Sequence, residues 1–246
     1  MKKIGVIGED KRSRYLKKIL EEENMYSSAI DSEYIYYPIP FKNLKNALEN
    51  KKTVISGKII KEDRKVLEEN NIKYIDLLES ENFILENAKV TAESSIIPLI
   101  NQTERRIENE KILVLGYGRI AKHLLKILKG FNPLLRCFAR KEKYKEEMEK
   151  ENIEYVYYKD IEEKLLDTTV VVNTVPENIV TKEMLKILEN KNILYIELAS
   201  KPYGIDINNL TYYDINFLLL NALPSKVMAK DAANLIKKEI DITLKK

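Results

Sequence analysis

Apolar residues fall along this chain in two alternating patterns: short runs bounded by Gly, Pro, Asn or Asp, and longer stretches where they recur at helical spacing. The first pattern is that of a strand buried on both faces, the second that of a helix with one buried face. The runs predict strands within Lys3–Gly8, at Thr53–Ser56 and at Lys73–Asp76. Further on they predict strands at Lys111–Leu115, Leu134–Lys141, Glu154–Tyr157, Thr169–Asn173, Asn192–Glu197 and Asn216–Leu220. Between them the spacing predicts helices over Arg12–Glu23, Lys61–Asn70, Lys122–Lys129, Lys143–Glu151, Asp160–Leu166 and Thr181–Glu189, and a last one from Ser225 to Leu244. Regular alternation of strand and helix means parallel sheets covered by helices.

One stretch divides the pattern. From Thr91 to Glu108 the chain is helical in character with no strand beside it, and Pro98 either kinks that helix or marks a late start. The expected organisation is an N-terminal α/β domain over 1–90, a connecting helix over 91–108, a second α/β domain over 109–224, and a C-terminal helix over 225–246 that returns toward the first domain. A length of 246 residues suits two modest domains with adequate cores. Gly5-x-x-Gly8 lacks phosphate-loop spacing and is expected to be a turn of a substrate-side domain.

The most specific local signal follows the Lys111–Leu115 run. Gly116-x-Gly118-x-x-Ala121 lies between that strand and the Lys122–Lys129 helix, and only seven glycines occur in the whole chain. Strand, tight glycine turn and helix together begin a dinucleotide-binding unit. Gly116 permits the turn, Gly118 lets the backbone approach a pyrophosphate, and Ala121 keeps the helix close to its strand. The pyrophosphate rests on unpaired N–H groups at the positive helix end, so Tyr117, Arg119 and Ile120 belong to the same cradle. The expected fold class is therefore α/β with two domains: a C-terminal doubly wound (Rossmann) parallel sheet and a smaller, flavodoxin-like N-terminal domain.

The next strand bears on which dinucleotide is bound. NAD-selective units carry an acid about 20 residues past the glycines for the ribose 2′-hydroxyl. Here Arg140-Lys141 stands in its place, which suits a 2′-phosphate and favours NADP, with NAD as the alternative. A solvated basic pair opening the following helix is the plainer reading of the same two residues.

Composition narrows the rest. Hydrophobic residues make up 44% and charged residues 33%, a globular balance, and the net charge of +3 is too small to argue for nucleic acid or an anionic membrane. No apolar stretch approaches the ~20 residues needed to span a bilayer. The single Cys137, in a buried strand, excludes an internal disulfide, and the cytoplasm is the expected compartment. The single His123 has no Cys or His partner for a metal and sits on a helix expected to pack on the sheet, so no metal and no histidine acid–base route are expected.

In doubly wound folds ligands bind beyond the carboxyl ends of the strands. Three loops meet that description. Asn173-Thr174-Val175-Pro176 is expected to line the nicotinamide ribose, Glu197 to Gly204 carries the cation Lys201, and Asn221 to Lys226 precedes the last helix. Ordinary Pro- or Gly-punctuated turns are the alternative for each.

The same residues carry a family resemblance. Val90-Thr91-Ala92-Glu93-x-x-Ile96, Leu115-Gly116-x-Gly118-Arg119, Asn173-Thr174-Val175-Pro176, Leu198-Ala199-Ser200-Lys201-Pro202-x-Gly204-x-Asp206 and Leu223-Pro224-x-Lys226-Val227 occur in an order and spacing that resembles the family of dipicolinate synthase A subunits. The resemblance covers about residues 85–240 well and the N-terminal domain in outline. It implies an NADP- or NAD-dependent oxidation of a dihydro- or hydroxytetrahydro-dipicolinate to pyridine-2,6-dicarboxylate, in the mother cell of a spore-forming bacterium, together with a flavoprotein-like B subunit. A homo-oligomer stays open. Under it Ala199 and Ser200 join the cofactor contacts and Thr91 the substrate contacts. Lys201 would anchor a substrate carboxylate, with Lys226 as a second candidate against a solvated helix start. Glu93 would be the acid/base, against a helix N-terminal acid that complements the dipole.

This chain departs from that family at Ser94, Lys201 and Ala222-Leu223-Pro224-Ser225, where members tend to carry Gly, Arg and Gly-Leu-Pro-Gly. Two other readings stand beside the resemblance: a nucleotide-binding or regulatory subunit with no turnover of its own, and another two-domain Rossmann dehydrogenase.

Overall fold

The computed structural model describes residues 2–245 and divides into two compact units, Met1–Val90 with Pro224–Lys246 and Thr91–Leu223. In the first, β1 (Ile4–Val6), α1 (Lys11–Glu22), β2 (Tyr34–Tyr36), α2 (Leu44–Asn50), β3 (Thr53–Ser56), α3 (Lys61–Glu69) and β4 (Tyr74–Asp76) build a four-stranded parallel sheet in the order β1-β2-β3-β4. Tyr26 forms an isolated parallel bridge on Ile4. Counted as a strand, it turns the order into the flavodoxin-like 2-1-3-4-5, with the reversal at β1 and β2. Asp10 caps α1 by accepting from the N–H groups of Arg12 and Ser13 at 3.0 and 3.2 Å, which satisfies two of the donors a helix start leaves open. β2 and α2 are additions to the expected elements: Tyr34–Tyr36 lies in an apolar run that ends at Pro38, and α2 is mostly polar.

Helix α4 (Glu81–Ser94) carries the chain into the second unit, and α5 (Ile96–Thr103) follows after a break at Ser95. This corrects the expected 91–108 helix. It starts ten residues earlier, breaks, and ends at Thr103. Pro98 explains the break: with no N–H it fits only the first turn of a helix, so a fresh helix must begin just before it. The unit continues with β5 (Lys111–Leu115), α6 (Arg119–Lys129), β6 (Leu134–Phe138), α7 (Lys145–Lys150), β7 (Glu154–Val156), α8 (Ile161–Leu165), β8 (Val170–Asn173), α9 (Lys182–Asn190), β9 (Leu194–Glu197) and β10 (Phe217–Leu219). All six strands are parallel in the order β10-β9-β8-β5-β6-β7. Numbered within the unit, that is the 3-2-1-4-5-6 order of a Rossmann sheet. Leu113, Leu115, Val171 and Tyr195 of the sheet pack with Ile161, Leu165, Leu185 and Leu188 of α8 and α9 into one core.

The expected helix over 225–244 is two helices, α10 (Leu223–Lys226) and α11 (Ala229–Lys245). α11 belongs to the first unit, where Ala233, Ile236 and Ile240 join Leu16 and Leu20 of α1 in a shared core.

Candidate functional site

Beyond the carboxyl ends of β5, β6, β7 and β8 opens a cleft of about 820 Å³, within the range of small-molecule and cofactor sites. Its floor is the glycine turn. Gly116 has φ +97°, and a Cβ there would stand 2.6 Å from Thr174 Oγ1 and 2.7 Å from Val175 Cγ2, so this position admits only glycine. Gly118 is the opposite case. A Cβ added there meets nothing within 4 Å, and no side chain caps the α6 start behind it. Open space before an uncapped helix end is what a pyrophosphate requires, so the residues present fit a dinucleotide. Ala121 is fully buried against the sheet, as the close strand–helix packing requires.

The walls are aromatic. Tyr117, Tyr144, Tyr155, Tyr157 and Tyr158 all line the cleft. Their hydroxyls are mostly engaged: Tyr117 donates to Glu147 at 3.0 Å, Tyr155 to the Ala139 carbonyl at 2.7 Å, Tyr157 to Glu142 at 2.6 Å and Tyr158 to the Ile179 carbonyl at 2.9 Å. What these residues offer a ligand is ring area, suited to a flat aromatic base. Lys122 Nζ lies 4.5 Å from the Tyr117 ring centroid and 2.9 Å from Glu147, and its hydrogen bond holds the Glu147 carboxyl below the usual range. Burial, then Glu147, pushes the Tyr117 phenol up, so it stays protonated. Five of fifteen tyrosines in one cleft is a signal the sequence carried in Tyr155-Val-Tyr-Tyr158, a run that reads as strand by pattern alone.

Arg140 and Lys141 line the same cleft. Arg140 is not free: its Nη2 pairs with Glu177 Oε2 at 2.5 Å, both side chains being largely exposed. Glu177 follows Pro176 in the β8 loop, and sequence pattern gave no sign that it faces the basic pair. Thr174, Val175 and Pro176 line the cleft, while Asn173 lies beneath it, fully buried.

Behind Asn173 sits a buried carboxylate that the motifs did not single out. Glu197 is 0% exposed and accepts from Asn173 Nδ2 at 2.7 Å, Ala199 N–H at 2.9 Å and Gly204 N–H at 2.8 Å. It therefore ties the ends of β8 and β9 to the Ala199–Gly204 loop. Gly204 must be glycine here, since a Cβ would come within 2.5 Å of both Asn173 Nδ2 and Tyr195 Oη. Burial lifts the Glu197 carboxyl above its ordinary range, with its hydrogen-bond donors pulling the other way.

The remaining expected site residues are dispersed. Ala199 is buried, Ser200 and Lys201 are exposed on the β9 loop, and none of the three lines the cleft. Thr91 is half-buried and Glu93 exposed on α4. Glu93 lies in the last turn of that helix, which removes the reading of it as a helix N-terminal acid. Lys226 is exposed at the end of α10 and belongs to the first unit. His123 is half-buried on α6, and Cys137 is fully buried with its thiol pushed up by burial, a structural residue rather than a reactive one. Among the described residues no group of three or more His, Cys, Asp or Glu is placed to hold a metal, and no helix is long and apolar enough to cross a membrane.

Residues 65–193, more than half of the chain, match the family described as D-isomer specific 2-hydroxyacid dehydrogenase, NAD binding domain. The chain belongs to that family. Membership supports a nicotinamide cofactor for the cleft and an oxidoreductase class for the chain. The resemblance carried by the motifs is also borne out. The A subunit of dipicolinate synthase of Bacillus subtilis (strain 168) is 24% identical over 164 residues, which cover 67% of this chain and 55% of that relative. The match thus spans about half the length of the relative. Among solved structures, the A subunit of dipicolinate synthase from Bacillus halodurans aligns with TM-score 0.88 at 21% identity, covering 100% of this chain and 98% of that one. Its counterpart from Bacillus subtilis aligns with TM-score 0.80 at 20% identity, covering 100% and 98%. At these identities the structures speak for the two-domain fold.

Proposed function

We propose that this chain is the nucleotide-binding subunit of a two-component oxidoreductase that forms pyridine-2,6-dicarboxylate from a dihydro- or hydroxytetrahydro-dipicolinate. The observation that carries the reading is the glycine turn opening on an aromatic cleft, in a chain similar to the dipicolinate synthase A subunit. When bound, the nicotinamide would accept the hydride. Gly118 and the first turn of α6 would hold the pyrophosphate, the tyrosine walls the adenine, and Thr174 and Val175 the nicotinamide ribose. Lys201 would anchor a substrate carboxylate, with Thr91 as a further contact, and Glu93 would take the proton lost on aromatisation. The flavoprotein-like B subunit completes the enzyme in this proposal, and the setting is the cytoplasm of a sporulating mother cell.

The test is reduction of NADP or NAD by the chain, with and without that B subunit, given the cyclic dicarboxylate. In the two-subunit complex Lys201→Ala weakens substrate and leaves nucleotide affinity unchanged. Glu93→Gln keeps its shape but cannot accept a proton, so turnover falls with little change in substrate affinity. Normal turnover by Glu93→Gln removes Glu93 as the base. No turnover by either preparation, with nucleotide binding intact, leaves the non-catalytic reading. One observation favours that second reading: neither Glu93 nor Lys201 is among the residues lining the nucleotide cleft.

NADP is the preferred cofactor in this proposal, through Arg140 and Lys141. The Glu177 pair weakens the contact, because a 2′-phosphate must compete with a carboxylate already on the guanidinium. We expect NADPH to bind more tightly than NADH by only about three- to tenfold, and Arg140→Asp with Lys141→Ala to abolish the difference. Titration of both nucleotides by calorimetry checks this. Equal affinities in the unmodified chain would sink the 2′-phosphate role.

A further inference from the structure

Two buried polar side chains lie in the first unit at the carboxyl ends of β1 and β2. Arg12, in the first turn of α1, is 7% exposed. A buried guanidinium has five N–H donors that need acceptors, and a buried charge that needs a counter-charge. Arg12 has little of either. Nη2 donates to the Ile39 carbonyl at 3.2 Å, which fixes the direction of the side chain, and Nε has no acceptor among the described residues. The nearest carboxylate oxygen is Asp10 Oδ1, 3.9 Å from Nε. Asp10 is occupied elsewhere, accepting from the N–H groups of Arg12 and Ser13 and from Ser13 Oγ at 2.8 Å.

An independent observation lies on the neighbouring strand. The Tyr36 hydroxyl at the end of β2 is also fully buried, and the Arg12 guanidinium faces it without completing a well-formed hydrogen bond. Burial pushes its phenol up to about 12, with the Arg12 charge and its contact to the hydroxyl pulling the other way. Two buried, under-satisfied polar groups thus face each other. They lie where the strand order of this sheet reverses, the position at which open parallel sheets take their ligands. Gly8, at φ +142°, makes the adjoining turn so tight that a Cβ would press within 2.7 Å of Ser13 Oγ and Pro38 Cγ.

We infer that Arg12 and Tyr36 form a binding site for the carboxylate of a small organic acid. A carboxylate is the planar two-oxygen partner that a guanidinium fork matches, and a phenol hydroxyl donates to the same group. Filling the site supplies the counter-charge that Arg12 lacks. The choice of a pyridine dicarboxylate as first probe rests on the proposed function. The site itself does not.

The experiment follows the Arg12 Nε–H resonance in the full-length ¹⁵N-labelled chain during titration with pyridine-2,6-dicarboxylate, D-lactate and inorganic phosphate. Calorimetry is run in parallel on the wild type, Arg12→Lys and Tyr36→Phe. At least one carboxylate is expected to shift the Arg12 resonance. Arg12→Lys, which keeps the charge and loses the fork, should weaken that probe about tenfold or more, and Tyr36→Phe about threefold, with NADH affinity unchanged. If Arg12→Lys does not fold, the wild-type resonance and Tyr36→Phe decide. A shift with lactate but not with pyridine-2,6-dicarboxylate keeps the site and assigns it to a different carboxylate, leaving the proposed function to its own test. No shift with either carboxylate, a response to phosphate alone, or unchanged affinity in the folded variants would overturn the assignment and leave Arg12 as a structural tie.

Discussion

Gly118→Val should abolish the binding of NADH and NADPH alike while the chain melts as the wild type does. The two halves of that result come from one fact: a Cβ at Gly118 meets no atom within 4 Å, so a side chain is accommodated in the free protein and fills the space a pyrophosphate needs. A loss of roughly hundredfold or more in affinity is expected, since the phosphates can no longer approach the α6 N–H groups. Gly116 would be a poor test of the same idea. Its positive φ and the 2.6 Å approach of Thr174 Oγ1 mean that a substitution there strains the fold before any ligand is considered. Paired calorimetric titration and thermal melting decide it, and nucleotide affinity retained in Gly118→Val would make the turn purely structural.

The largest stability effect is expected at Glu197. Glu197→Ala leaves the Ala199 and Gly204 N–H groups and one Asn173 amide hydrogen without their acceptor in a site closed to water. Orphaned buried donors and the missing carboxyl volume together destabilise by about 3–5 kcal/mol. The pH dependence has a definite sign. The folded carboxyl is lifted above its unfolded value, so the protonated form is favoured by folding. The contribution of Glu197 is therefore greatest below the unfolded carboxyl range and declines as pH rises through the folded value. Denaturant unfolding of both proteins should show the gap between them widening from neutral pH into mild acid. A gap that narrows in acid would mean that the hydrogen-bond donors outweigh burial.

Both positions show what the sequence made legible. The turn at Gly116 and Gly118 and the buried Ala121 are legible locally, because the pattern is confined to six consecutive residues. The six strands of the second unit were equally readable, since strands buried on both faces become continuous apolar runs such as Val170-Val-Val172. Glu197 was not readable in this way. Its importance comes from Asn173, twenty-four residues away on the adjacent strand, and from a backbone loop that curls back on it. The same holds for Glu177 against Arg140, thirty-seven residues apart, where spacing along the chain carries no information about facing loops. Arg12 was hidden for another reason. In a Lys- and Arg-rich helix start, Lys11-Arg-Ser-Arg14, nothing local marks which cation is the buried one.

The first unit is assembled from two segments that flank the second in sequence, with α11 packed against α1, while the second is a single uninterrupted segment. During synthesis the consequence is an order of events. The nucleotide unit has been synthesised in full before the α11 segment that completes the N-terminal unit is made. Until they emerge, Leu16 and Leu20 of α1 lack the Ala233, Ile236 and Ile240 surface that covers them, and the nascent N-terminal unit carries a greasy stripe. The protein made first is finished last, so a chain cut short near residue 223 would hold a complete dinucleotide unit attached to an N-terminal half inviting chaperones.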